Sequence, residues 1–208
     1  MFAWSTLTAF VVASIAIILA PGLAQALVLA TTLNEGRRSG FMTAVGLNVG
    51  TLIHAVAAAL GLSAVLMTSA LAFSIVKFVG AVYLIYLGLR AVWESRTTDY
   101  VADRGTPATT SFVKAVLTGV LNPKVALFFL AFLPQFVDPS RGQVVWQFLG
   151  LGALLAVMDV FYETVLIATA GAARAALLQS ARFERWRQRL MGGVLIALGL
   201  RLALLERN

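Results

Sequence analysis

Asp159 and Glu163 stand four positions apart in an otherwise apolar stretch, with Tyr162 beside them. On a helix that spacing puts both carboxylates on one face. An ionised carboxylate at mid-bilayer costs at least about 3 kcal/mol even on the lenient insertion scale, so such residues face a cavity and have a task there, and proton carriage suits Asp159. A second cluster is Asn122-Pro123-Lys124, a helix breaker and a cation at the head of a run of Leu, Val and Phe fit for lipid. A third is Ala20-Pro21-Gly22. An interior proline deletes one helical hydrogen bond and costs about 3 kcal/mol unless the freed carbonyls find other partners, which a substrate or an ion can provide. Neighbouring side chains can do the same and leave only a kink. Gln25, Asn48 and Thr51 offer uncharged hydrogen-bonding groups, and His54 is the single histidine.

These groups need elements to position them. With 60% hydrophobic and 12% charged residues, and a mean hydropathy of +0.90, the chain lies far from the composition of soluble domains. It reads as an integral membrane protein. Stretches 1–34, 39–76 and 142–158 hold no Asp, Glu, Lys or Arg, and a spanning helix needs only about 20 apolar residues. Helices are the spanning structure that pairs every backbone group internally, and alternating barrel-type segments are absent. The fold class is therefore all-α, with six transmembrane helices expected near 4–32, 41–66, 71–92, 112–135, 144–172 and 189–205. Glu94–Thr110, rich in Thr, Asp and Arg, is the one long hydrophilic stretch and divides the chain into halves of about 1–93 and 111–206. Ala24-Gln25-Ala26 resembles a signal-cleavage site, but no Lys or Arg precedes it, so residues 1–32 are expected to stay as a helix.

Charge sets the orientation. Eleven of the 16 cationic residues fall in the turns after helices one, three and five: Arg37, Arg38, Arg90, Arg96, Arg104, Lys114, Arg174, Arg182, Arg185, Arg187 and Arg189. The opposite side has Lys77, Arg141, Arg201 and Arg207, and Lys124 lies inside a span. The positive-inside rule then places those three turns in the cytoplasm and both termini outside. A pI near 10.6 records this topology and an affinity for anionic headgroups of the bilayer, with no call for nucleic acid. With no cysteine and one histidine, thiol chemistry and Cys- or His-based metal sites are excluded, no cofactor is indicated, and an enzyme would have little to work with beyond Asp159 and Glu163.

The two prolines fall in the first span of each half, 102 positions apart by their numbers, Pro21 and Pro123. Three helices per half is an odd number, so the halves must lie inverted. Paired interruptions at matching places in inverted halves point to a transporter binding site at the midplane. His54 and Asp159 sit in the second helix of their respective halves, so the same inversion could join them in a proton relay with Glu163 nearby. Gly46-x-x-x-Gly50 is a close-packing signature. Trp4, Trp93 and Trp146 mark span ends. The basic stretch Phe183–Arg189 is expected as a surface segment ahead of helix six.

Asn34-Glu35-Gly36-Arg37-Arg38-Ser39-Gly40-Phe41, with Gly46, Gly50, His54 and Gly61-Leu62-Ser63-Ala64, resembles the start of the lysine exporter family, LysE/RhtB. So does Lys77 to Gly88, and above all Asn122-Pro123-Lys124 followed by Phe128-Phe129 and Leu133-Pro134-Gln135-Phe136. The resemblance runs from about residue 14 to 172. It implies a six-helix inner-membrane exporter of amino acids or related metabolites that uses the proton gradient. Members often read Pro-Gly-Pro in helix one, where this chain has Pro21-Gly22-Leu23. From the breaks and the intramembrane polar residues, the expected substrate-binding set is Pro21, Gly22, Gln25, Asn48, Asn122, Pro123, Lys124 and Tyr162, and the expected proton-coupling set is Asp159, His54 and Glu163. An amino acid's carboxylate would suit Lys124 or a half-helix N-terminus, and its ammonium would suit Asp159 or freed carbonyls. Export of a metal or other cation, a non-transporting membrane subunit, and assembly as a homo-oligomer stay open at this point.

Overall fold

The computed structural model describes residues 2–20, 22–68, 112–170 and 181–204, with positions 71, 75, 78, 79, 81, 82, 85, 86, 88–90, 92 and 93 between them. Pro21, Lys77, the expected linker Glu94–Thr110 with Arg96 and Arg104, and Arg174 lie outside the described residues. Every regular element described is helical: α1 (Trp4–Leu19), α2 (Leu23–Glu35), α3 (Arg37–Thr68), α4 (Phe112–Val120), α5 (Pro123–Leu127), α6 (Val144–Thr169) and α7 (Ala181–Leu204). A π-helical turn, Phe128–Phe132, and a 3-10 turn, Leu133–Phe136, prolong α5.

α3 and α6 are each long and apolar enough over 26 residues to cross a membrane. α1 with α2, and α4 with Pro123–Phe136, also qualify if each bent pair is one span; the bends are 57° and 42°. Expected helices one and four are therefore both broken, at the two proline motifs. One boundary differs from expectation: α7 begins at Ala181, so Phe183–Arg189 continues the last helix instead of preceding it. Nothing in that stretch interrupts a helix, since Arg, Glu and Gln propagate one well.

Without a hydrophobic drive between helices in lipid, association depends on close contact and small residues. A methyl group placed on Gly119 of α4 would meet the Leu47 carbonyl oxygen of α3 at 2.4 Å, and one on Gly50 would come within 2.6 Å of the Gly119 backbone. α3 and α4 touch backbone to backbone there, so the expected packing role of Gly46 and Gly50 holds. Gly119→Ala is predicted to lose about 1–3 kcal/mol by overpacking, read as a lower thermal midpoint in detergent; an unmoved midpoint contradicts the contact. On the other side of α3, Gly152 of α6 leaves room for the Ala55 methyl, which a side chain there would approach to 2.4 Å. α3 is thus held between α4 and α6.

The larger core gathers phenylalanines around the prolonged α5. Phe10 of α1 meets Phe136 edge-on at 5.3 Å between ring centres, and Phe132 meets Phe136 at 5.0 Å. A smaller cluster of Val28, Ala44, Leu47, Ala115 and Ile167 closes the other end of the bundle. α6 starts from a hydrogen-bonded knot in which buried Gln147 donates to the carbonyls of Asp138 and Gly142 and accepts from the Asp138 amide. The Ser140 hydroxyl, 2.6 Å away, holds the Asp138 carboxyl below the usual carboxylate range.

Candidate functional site

A break in a membrane helix strands carbonyls in a medium without water, and each must be answered from the protein. In the first break the Ile18 carbonyl accepts from Gln25 Nε2, a buried side chain one turn into α2. The Ala20 carbonyl accepts from Lys124 Nζ at 2.8 Å, a bond that ties the first broken span to the second across 104 residues of sequence. Lys124 lies over Gly22, where a methyl group would sit 3.7 Å from Nζ.

The second break is built by its own three residues. Proline brings no amide hydrogen and fits the first turn of a helix, so α5 can start where α4 stops. Asn122 caps α5 by accepting the Lys124 amide on Oδ1 at 3.1 Å, and its own amide turns back to the Gly119 carbonyl at 3.2 Å. In an unbroken helix the Lys124 amide would have served Val120. That carbonyl accepts instead from His54 Nε2 at 3.0 Å. Protein side chains, and not only a substrate or an ion, therefore answer the freed carbonyls at both breaks.

Between the breaks and α6 lies a cavity of about 450 Å³, counted with the open space at its mouth. Its polar lining is Gln25, Thr51, Asn122, Lys124, Asp159 and Glu163, and its apolar lining includes Ile17, Ile18 and Leu155. Asp159 and Glu163 share the face of α6 that their spacing requires. Glu163 is 1% exposed and accepts from Asn48 Nδ2 at 2.9 Å, while the same amide donates to the Ala44 carbonyl one turn back on α3. Lys124 lines the same cavity as both carboxylates. The site is one cation, two acids and three uncharged polar groups, flanked by aliphatic side chains. Such a set can hold a molecule bearing both an ammonium and a carboxylate by charge-assisted hydrogen bonds.

Of the residues expected at the site, Gln25, Asn122, Lys124, Asp159 and Glu163 line this cavity, Gly22 lies beneath Lys124, and Asn48 stands behind the acids. Pro123 is exposed at the first position of α5, where it shapes the break without lining the cavity. Two placements differ. Tyr162 packs against the hydrophobic core and is not part of the cavity wall, because its position next to Glu163 turns it about 100° around α6. His54 makes no hydrogen bond to Asp159 among the described residues: it faces α4, and its ring stacks on Phe129 at 6.0 Å. What spacing could not disclose was the bond of Asn48 to Glu163, which depends on how α3 and α6 are rotated against each other. A buried Asn opposite a buried acid was the available signal.

The profile of LysE type translocators matches residues 15–206 of the chain. An uncharacterized membrane protein of Pseudomonas aeruginosa is 33% identical, with 91% of this chain and 88% of that protein covered. A protein named leucine efflux protein from Enterobacter sp. is 28% identical over 95% of this chain and 94% of its own length. Another of the same name from Salmonella typhimurium is 27% identical with the same coverage, 95% and 94%. No solved structure matches the chain.

Proposed function

Because this chain belongs to the LysE type translocator family, whose members are transporters and not enzymes, we propose that it exports an amino acid or a related metabolite from the cytoplasm in exchange for protons. The observation that carries this reading is the cavity where the two helix breaks meet Asp159 and Glu163, with Lys124 reaching from one break to the other. Lys124, with the backbone turned inward at the breaks, receives the carboxylate of the cargo; Asp159 receives its ammonium or, in the return step, a proton. Binding either a proton or the cargo at one acid is the simplest way to couple the two flows, since each displaces the other. Relatives named for leucine efflux support an amino acid as the cargo.

The remaining architecture follows the same reading: six spans in two inverted halves, with the turns after spans one, three and five in the cytoplasm and both termini outside. Close contact between the third span and α7 supports it, since a methyl group on Gly88 would lie 2.6 Å from the Gly192 carbonyl oxygen. First would pair with fourth, second with fifth, third with sixth, as a pseudo-twofold in the membrane plane requires. The decisive experiment is reconstitution in liposomes with a panel of radiolabelled amino acids, with and without an imposed pH gradient. Gradient-dependent movement of one class is the expected result. No movement of any amino acid by folded protein overturns the reading and turns the search toward metal or other cations.

A further inference from the structure

His54 touches the chain on both sides of the second break. Before the break, Nε2 donates to the Val120 carbonyl at 3.0 Å. After it, the imidazole lies on Phe129, with ring centres 6.0 Å apart and 26° between the planes. Val120 is the residue whose carbonyl loses its helical donor when the Lys124 amide turns to Asn122 Oδ1. One side chain from α3 thus supplies the missing donor at the end of α4 and seats Phe129 in the turn beyond α5.

We propose that His54 is a positioning residue that clamps the bend between α4 and α5 and thereby aims Lys124 into the cavity. The proposal rests on the transport reading above and names how its cation is held in place. A carbonyl oxygen only accepts, so Nε2 is the donor in this bond. The clamp asks for a donor of the right reach. The amide nitrogen of glutamine reaches about where Nε2 of histidine does, that of asparagine stops short, and leucine fills the space with no donor at all.

The test uses the purified full chain as wild type, His54→Gln and His54→Leu, with two readouts. Hydrogen exchange at the amides of Leu121, Asn122 and Lys124 is expected to speed by about tenfold in His54→Leu, because a buried acceptor is left unmet and the break loosens, and to return to the wild-type rate in His54→Gln. In liposomes, His54→Leu is expected to lower the maximal export rate by about tenfold, while His54→Gln exports at the wild-type rate with an unshifted pH profile. If leucine prevents folding, His54→Asn takes its place with the same expected loss. Wild-type exchange at the break in His54→Leu or His54→Asn overturns the clamp. So does a His54→Gln protein with a changed pH profile, which would make His54 a proton carrier. Exchange is read on the protein alone, so wild-type vesicles that move no amino acid sink the transport reading without deciding the clamp.

Discussion

Lys124→Met is expected to abolish binding of carboxylate-bearing cargo while protein levels in the membrane stay normal. Methionine keeps the length and flexibility of the lysine stem and its apolar contacts, so the change removes a charge and its hydrogen bonds and little else. Three partners lose something at once. The Ala20 carbonyl loses the donor that answers it at 2.8 Å, Asp159 and Glu163 lose the cation that lines their cavity, and an incoming carboxylate loses its counter-charge. Removing one partner of a buried charged pair costs roughly 3–5 kcal/mol, so affinity should fall by about 100-fold or more. Equilibrium binding of a labelled cargo, identified from the liposome panel, to wild-type and variant protein reads this directly. Unchanged affinity would remove Lys124 from the site and leave it as a structural tie between the breaks.

The second large effect is expected at Asp159. Asparagine matches aspartate in shape and still hydrogen-bonds, but its amide carries no titratable proton. Gradient-driven export by Asp159→Asn should fall by at least about 100-fold, the scale on which loss of a positioned proton-transfer group acts. Exchange of cargo for cargo, which needs no net proton movement, should survive to a measurable extent. Running both assays on one batch of vesicles separates coupling from binding. Full gradient-driven accumulation by Asp159→Asn would sink the idea that this carboxyl couples the flows, and Glu163→Gln would be the next protein to measure. Glu163 is the more enclosed of the two acids and is already held by Asn48, so its replacement is expected to disturb the junction of α3 and α6 as well as transport.

Much of this was legible in the order of the residues. Asn-Pro-Lys inside an apolar run announces a break, because it combines a capping side chain, a residue without an amide hydrogen and a charge that must find a partner. The shared face of Asp159 and Glu163 follows from the helical period alone. Gly46 and Gly50 announce a close approach, although the helix they admit, α4, could not be named from them. The rest depended on rotation about helix axes, which the low contrast between apolar faces does not encode. α3 is apolar nearly all round, so nothing in its pattern says that Asn48 turns toward α6 while His54, six positions later, turns toward α4. Symmetry of the halves suggested that His54 and Asp159 meet. Satisfaction of the Val120 carbonyl, a local demand of the break, decided otherwise.

The bond from Lys124 to the Ala20 carbonyl also bears on how the protein is made. A ribosome delivers the first broken span to the membrane well before the residue that completes it, since the two partners are 104 positions apart. Until Lys124 is made, the Ala20 carbonyl lacks the side-chain donor that answers it in the folded protein. The segments before and after the second break are therefore tied through one side chain, and a chain cut short of Lys124 lacks the donor that answers Ala20.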